Sequence, residues 1–394
     1  MHIAIFTDSY FPYVSGVTIA VRSQISEFLR KGHRVSLFVS KRSPKGTNIH
    51  KTILQHPRLQ IYEIGPSINL KRYLDFCIAF PNFRKVLRIL KKDKPDVIHI
   101  HTELSLGYCG KQVAQSLNIP LVGTFHTNFS DPQYLKVLGI FRGRIMRFAV
   151  KKYQKRFFSM CDVLVVPSSY TYRELTGELF HPNIVKISSG IEIPHLLSKS
   201  KINNYRKLYQ LDKTTNVIVV GRLSREKNIE SIIRAFAIVN KRLPNTRLII
   251  IGDGTYTKTL KNIAYSLKLH SVVHFFGMIP HEQIIQKNLV RLGDVFVTTS
   301  TTETLGLTTL EAMAQKVLTV GAPEKGLSDI LTTKTAILCH PRKIKSISSK
   351  IIYALNMNNR QSLIREAYTL AQSHSKTRVA VKLISIYQSL LNVD

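Results

Sequence analysis

Glu303 and Glu311 stand eight residues apart in Ser300-Thr301-Thr302-Glu303-Thr304-Leu305-Gly306-Leu307-Thr308-Thr309-Leu310-Glu311-Ala312-Met313-Ala314. The pattern predicts a helix beginning near Gly306 or Leu307, with Glu303 just before it and Glu311 one to two turns inside. Backbone N–H groups at Gly306, Leu307 and Thr308 then have no intrahelical partner, and the helix dipole makes them an anion site between the carboxylates. Carboxylates cannot bind phosphate themselves. They suit hydroxyl-rich groups on either side of it, a sugar and a ribose. Two surface glutamates on an amphipathic helix are the plainer alternative, and the small, apolar flanking residues weigh against it.

Two further stretches could meet phosphate. Gly221-Arg222-Leu223-Ser224-Arg225-Glu226-Lys227 follows an apolar run, so Arg222 and Lys227 sit beyond a strand end. A guanidinium fork and an ammonium converging there could neutralise a diphosphate, against the alternative of solvated loop charges. Asp8-Ser9-Tyr10-Phe11-Pro12-Tyr13-Val14-Ser15-Gly16-Val17 also lies between a strand and a helix expected from about Thr18. Gly16 would let backbone N–H groups approach a phosphate. A plain β–α turn fits those residues equally well.

The elements that must carry these loops are short β-branched runs alternating with 3.6-residue periodicity. Strands are expected at 2–6, 35–39, 97–101, 121–125 and 163–167, then at 216–221, 247–252, 272–276, 295–299 and 318–320. Such alternation predicts an α/β protein with two successive doubly wound parallel sheets, and ligands beyond the carboxyl ends of the strands. A chain of 394 residues also exceeds the usual single core of roughly 250–300. The expected division is 1–193, a polar, weakly patterned linker at 194–215, a second domain at 216–375, and a C-terminal helix at 376–394 packing back toward the first domain.

Composition excludes several classes. Hydrophobic residues at 44% and charged residues at 21% describe a globular chain. Apolar runs stop at five residues, far short of the about 20 needed to span a bilayer. Residues 1–8 read as a strand and not as a signal peptide, and Cys77, Cys109, Cys161 and Cys339 are isolated, as in a reduced cytosolic protein. The outlier is charge: 57 Lys and Arg against 24 Asp and Glu give +33, spread over both halves, which demands an anionic partner.

Taken together, the Gly16 loop, Arg222 with Lys227, and the Glu303–Glu311 pair resemble the retaining glycosyltransferases of family 4. So do Gly123-Thr124-Phe125-His126-Thr127, Ser189-Gly190-Ile191-Glu192, Gly252-Asp253-Gly254 and Phe276-Gly277. The resemblance covers nearly the whole chain and implies a GT-B fold, two Rossmann-like domains facing a central cleft. It further implies a nucleotide-sugar donor, no cofactor and no metal. By this likeness Arg222 and Lys227 grip the diphosphate, Glu311 takes the ribose, Glu303 takes sugar hydroxyls, Gly16 approaches the phosphates and His126 lies beside the reacting carbon. Asp8, Tyr10 and His101 fall on the acceptor side. Departures lie at Glu192, where the family often has Asp, and at Gln315-Lys316-Val317-Leu318, where it often has a glycine turn with proline.

Within the family, His99-Ile100-His101-Thr102-Glu103-Leu104-Ser105-Leu106-Gly107 and Phe125-His126-Thr127-Asn128-Phe129 resemble the diacylglycerol glucosyltransferases. That implies glucose from UDP-glucose, a membrane lipid acceptor and a peripheral place on the inner face of the cell membrane. Amphipathic pattern agrees. In 81–92, Phe83, Val86, Leu87 and Leu90 recur at i, i+3, i+4 and i+7 among Arg84, Lys85, Arg88, Lys91 and Lys92. From 136 to 156 eight basic and no acidic residues, Arg144, Arg147 and Lys151 among them, interleave with Phe141, Ile145, Met146, Phe148 and Tyr153. Both helices are expected to dock on an anionic surface; ordinary core-facing helices with solvated lysines are the alternative. A water-soluble or phosphoinositide acceptor remains open. A nucleic-acid-binding protein fits worse, because no RNA-binding signature is present and the donor motifs do not suit it.

Overall fold

A computed structural model of the chain describes residues 1–11, 15–41, 55–69, 77–132, 135 and 143–392. Parts of the expected phosphate loop (12–14) and of the second basic segment (136–142) lie outside the described residues. The chain divides into two compact units, Met1–Gly190 with Lys376–Asp394, and Ile191–Ser375.

The first unit runs β1 (His2–Thr7), α1 (Gly16–Arg30), β2 (Arg34–Ser40), β3 (Leu59–Ile64), β4 (Ser67–Asn69), β5 (Cys77–Ala79), α2 (Phe83–Lys92), β6 (Val97–Ile100), α3 (Ser105–Leu117), β7 (Leu121–Thr124), α4 (Arg144–Phe158), β8 (Val163–Val166), α5 (Ser169–Gly177) and β9 (Ile184–Lys186). Seven strands form one parallel sheet ordered β3-β2-β1-β6-β7-β8-β9, and β4 with β5 makes a separate antiparallel pair. The second unit runs α6 (Lys199–Leu208), β10 (Thr215–Val220), α7 (Ile229–Arg242), β11 (Thr246–Ile251), α8 (Thr257–Ser266), β12 (Val273–Gly277), α9 (His281–Gln286), β13 (Val295–Thr298), α10 (Leu307–Ala314), β14 (Leu318–Gly321), β15 (Ile337–Leu338), α11 (Ile344–Asn356) and α12 (Gln361–Ser373). Its six strands are parallel in the order β12-β11-β10-β13-β14-β15. Helix α13 (Lys376–Leu391) belongs to the first unit, where Val379, Leu383 and Tyr387 pack with Ile3, Ile5 and Phe28.

Both sheets are covered on both faces, which is why their central strands read as unbroken apolar runs. In β1, Ile3 and Ile5 enter one core cluster while Ala4 and Phe6 enter another; in β10, Val217 and Val219 part from Ile218 in the same way. Each sheet is wound outward from its first strand, so connections leave in opposite directions beside β1 and beside β10. The crevices between β1 and β6 and between β10 and β13 are therefore the switch points at which such sheets bind ligands.

Two expectations need correcting. Residues 194–215 are not a bare linker: α6 lies within them, Ser198 Oγ accepts from the Lys201 N–H at 3.3 Å, and Ile202 and Leu211 are buried. Their polar composition reflects a helix that buries Ile202, half-buries Tyr205 and Arg206 and exposes the rest. The edge strands β3, β9 and β15 escaped the pattern because they are short or only partly buried. At the departure from the family turn, Lys316 adopts φ +57°, the left-handed conformation that glycine usually supplies, and its ammonium sits 4.5 Å from the Tyr368 ring centroid.

Candidate functional site

The loop after β10 and the loop after β13 meet at the second unit's switch point. Lys227 closes a short 3₁₀ turn, Arg225–Lys227, and its Nζ donates to Glu303 Oε1 at 2.5 Å. Arg222 Nη2 lies 3.3 Å from Glu226 Oε1, which also accepts from Ser224 Oγ at 2.5 Å. Burial by itself would raise the Glu303 pKa, but the Lys227 ammonium and the Arg222 guanidinium outweigh it and hold the carboxyl below its ordinary range. Glu303 is thus a fixed anion. The Lys227 ammonium orients Glu303.

Glycine sets the loop geometry at two places. Gly306 has φ +94°, and a Cβ there would lie 2.4 Å from Leu327 Cδ2, so only glycine can open α10 at this point. A Cβ on Gly252 would lie 1.9 Å from the Gly221 carbonyl oxygen, so Gly252-Asp253-Gly254 presses the loop after β11 onto the arginine loop. Helix α10 starts at Leu307, placing the Gly306, Leu307 and Thr308 N–H groups in its unpaired first turn, as the spacing predicts. Glu311 is buried one turn further in, and its Oε1 lies 2.6 Å from His281 Nε2 at the start of α9. The structure therefore brings Arg222, Lys227, Glu303, the α10 N-terminus and Glu311 together on one unit. Two cationic side chains and the first turn of a helix thus lie beside two oriented carboxylates.

At the first unit's switch point the chemistry differs. His101 follows β6 and His126 follows β7, and His101 Nδ1 lies 2.9 Å from His126 Nε2. His99 stacks over His101 with ring centroids 4.0 Å apart, and it is held by the Tyr387 hydroxyl at 2.6 Å and the Thr124 hydroxyl at 2.7 Å. Burial pushes His99 down to about 3 and His126 to about 4, and depresses His101 well below its ordinary value. All three imidazoles are neutral at pH 7.

Asp8, Tyr10 and His101, expected on the acceptor side, are all buried. Asp8 is fully buried, and its carboxylate accepts from the Thr102 and Ser105 hydroxyls at 2.7 Å each and from the Leu106 N–H at 3.2 Å. It caps α3 and offers no face to a substrate. The Tyr10 ring lies in the core, edge-on to Phe11 at 5.3 Å, and burial raises its hydroxyl to about 12. His101 is buried behind His126, which keeps partial exposure. Gly16 is exposed as the first residue of α1, with Ser15 Oγ accepting from the Thr18 N–H at 3.2 Å.

Comparison with known proteins decides the family. The family model described as Glycosyltransferase Family 4 matches residues 14–193, and that described as Glycosyl transferases group 1 matches 201–370. An alpha-monoglucosyldiacylglycerol synthase of Streptococcus pneumoniae is 32% identical over 346 residues, covering 85% of this chain and 74% of that protein. The chain belongs to the family 4 glycosyltransferases. An Acholeplasma laidlawii protein of the same name is 29% identical over 321 residues, covering 80% and 78%. The glycosyltransferase also shares its fold with the Anabaena protein HepE, solved in complex with UDP and glucose: TM-score 0.76 at 20% identity, covering 99% and 100% of the two chains. Its two Rossmann-like halves are those of the GT-B fold.

The two basic helices of the glycosyltransferase fare differently. In α2, Val86 and Leu90 are buried in the first unit's core and Phe83 and Leu87 pack partly against it. Leu90 is thus committed to the core and Phe83 and Leu87 are half-buried against it, while Arg84, Lys85, Arg88 and Lys91 are exposed around them. Helix α4 has the opposite polarity. Ile145 is 86% exposed and Phe148 66%, with Arg144 and Arg147 beside them, whereas Phe157 and Phe158 anchor its last turn in the core. Lys151 pairs with Glu178. No described helix is long and apolar enough to cross a membrane.

Sequence reasoning missed three supporting residues. Asn228, in the left-handed conformation, donates to the Thr299 and Pro341 carbonyls at 3.3 and 2.8 Å, tying the Lys227 turn to the end of β13. An Asn directly before a helical run was the available signal. His281 and Gln154 had none, since their partners are distant in sequence.

Proposed function

We propose that the enzyme transfers glucose from UDP-glucose, with retention, to the free hydroxyl of 1,2-diacylglycerol at the anionic inner face of the cell membrane. The observation that carries the acceptor class is α4, whose exposed Ile145 and Phe148 are bounded by cations. An apolar stripe with a cationic border is suited to the boundary of an anionic bilayer, and a water-soluble acceptor gives it no purpose. The names of the two synthases and the UDP and glucose of HepE support the same donor and product.

In this reading Arg222, Lys227 and the N–H groups of Gly306, Leu307 and Thr308 receive the diphosphate, so its charge is met by fixed donors and no divalent metal is needed. Glu311 takes the ribose and Glu303 the sugar hydroxyls. The acceptor hydroxyl attacks from the face the phosphate is leaving; the departing phosphate oxygen takes its proton, and Arg222 and Lys227 stabilise the developing charge. The neutral His126 accepts or donates a hydrogen bond near the reacting carbon without adding charge.

The test is turnover on diacylglycerol in mixed micelles with and without anionic lipid, using a panel of nucleotide sugars, with EDTA present and absent. UDP-glucose should be the preferred donor, anionic lipid should raise the rate, and EDTA should leave it unchanged. The variant Ile145→Ser/Phe148→Ser should lose vesicle binding and lipid turnover together. Undiminished vesicle binding by that variant, or a soluble acceptor used in preference to diacylglycerol, would overturn the lipid reading.

A further inference from the structure

Helix α4 carries one buried polar side chain, and its bonds lead away from the exposed face. Gln154 is 1% exposed. Its Nε2 donates to Glu103 Oε1 at 2.5 Å and to the Thr127 carbonyl at 3.1 Å, using both amide protons. The neighbouring Tyr153 hydroxyl donates to the Glu103 carbonyl at 2.5 Å, and Arg147 Nε reaches the Ser130 carbonyl at 3.4 Å. Glu103 stands two residues beyond His101, and Thr127 directly follows His126. One helix thus holds the loops carrying both imidazoles.

An amphipathic helix needs no glutamine on its buried side; an apolar residue there would pack as well and leave no polar group to satisfy. The bonds add to the loop's other ties, among them Asn128 Nδ2 donating to Glu174 Oε1 at 3.2 Å and Asn128 Oδ1 accepting from the Ser130 N–H at 3.1 Å. We propose that Gln154 is a positioning residue that couples the docking helix to the His126 loop, so that contact of α4 with an anionic lipid surface orders the acceptor-side imidazole. This rests on the reading of α4 as the docking helix. Gln154 touches no reacting atom; it acts through Thr127 and Glu103.

The test compares native protein, Gln154→Met and Glu103→Gln. Methionine keeps length and volume but donates nothing, whereas glutamine at 103 still offers an acceptor oxygen to Gln154. Amide hydrogen exchange is followed with and without vesicles of phosphatidylglycerol and diacylglycerol, beside kcat and KM for each substrate. In the native protein the vesicles should protect both α4 and residues 126–131. In Gln154→Met they should protect α4 alone, with lipid kcat down on the order of 10-fold or more and the donor KM and vesicle affinity unchanged. Glu103→Gln should retain the native pattern. Equal protection of 126–131 in the native protein and Gln154→Met overturns the coupling while leaving docking intact. So does a kcat loss matched by lost donor or vesicle affinity, the mark of a merely structural residue. If vesicles fail to protect α4 in the native protein, the docking reading falls and the coupling with it. Exchange needs no acceptor chemistry, so the wrong lipid hydroxyl would leave this result standing.

Discussion

Both units gather side chains where the sheet reverses its winding, β1 beside β6 in the first and β10 beside β13 in the second, yet the two gatherings hold opposite charge states. In the second unit Lys227 pairs with Glu303, and the carboxyl is held ionised below its ordinary range despite burial. In the first, His99, His101 and His126 are depressed into their neutral form, while burial raises Glu103 to about 7 and Asp8 above its ordinary value. The winding is the same, so the fold does not impose the charge. What differs is pairing. An ion with a close counter-ion can stay charged in a buried place, and one without gives up or takes a proton. A diphosphate needs the first arrangement, whereas a neutral hydroxyl beside it is better met by groups that add no net charge.

The strongest way to break this contrast is to remove the charges of the second unit. Glu303→Ala and Lys227→Ala should each fold normally, since neither side chain is core, and each should lower kcat by on the order of 10²–10³. Steady-state kinetics with the nucleotide sugar, beside a thermal melt, measure this. Turnover near the native rate in either variant would mean that the ionised pair is not where the donor charge is met.

How much of this was legible in the sequence depended on whether a residue's partner lay within its own motif. Glu303, Gly306 and Glu311 belong to a single helix start, where spacing alone sets geometry, and they were readable. The pairing of Lys227 with Glu303 spans 76 residues, and neither it nor the contact between His281 and Glu311 had a signal in the sequence. The basic helices show the limit most plainly. Phe83, Val86, Leu87 and Leu90 make an apolar stripe in α2, and the core takes it. In α4 the glutamine is inside and Ile145 and Phe148 are outside, an inversion that periodicity cannot reveal without knowing which face meets the sheet.

A smaller effect sharpens the first unit's side of the comparison. Glu103 has a folded pKa of about 7 against an ordinary 4.5, so the folded state holds its proton where the unfolded state has released it. Stability from this group is therefore fully present below 4.5 and declines as pH rises toward 7. Glu103→Gln removes that loss and should be more stable than the native protein at pH 8 by up to about 3 kcal/mol, with no gain at pH 4. Denaturant unfolding at the two pH values checks it. Equal stability at pH 8 would mean that Glu103 is ionised and paired, as Glu303 is.

The smallest effect is the native protein's own response to mild acid, because two groups of opposite sign meet there. His99 and His126, at about 3 and about 4 when folded, take up protons in the unfolded state first, so their contribution is complete above 6.5 and falls as pH drops through 6.5 toward 4. From pH 6.5 to 5 these two should together lose about 3 kcal/mol; His101 adds to the loss, and the rising proton occupancy of Glu103 returns part of it. Glu303 adds nothing in this window, since a lowered carboxyl pKa costs stability only below 4.5. The first unit should therefore loosen before the second between pH 6.5 and 5, seen as earlier hydrogen exchange in β6 and β7 than in β10 and β13. Glu103→Gln, lacking the compensating group, should show a larger loss than the native protein over the same range. Simultaneous loosening of both sheets, with no difference between variant and native protein, would mean that the imidazoles are paired with charge and that the two switch points do not differ in kind.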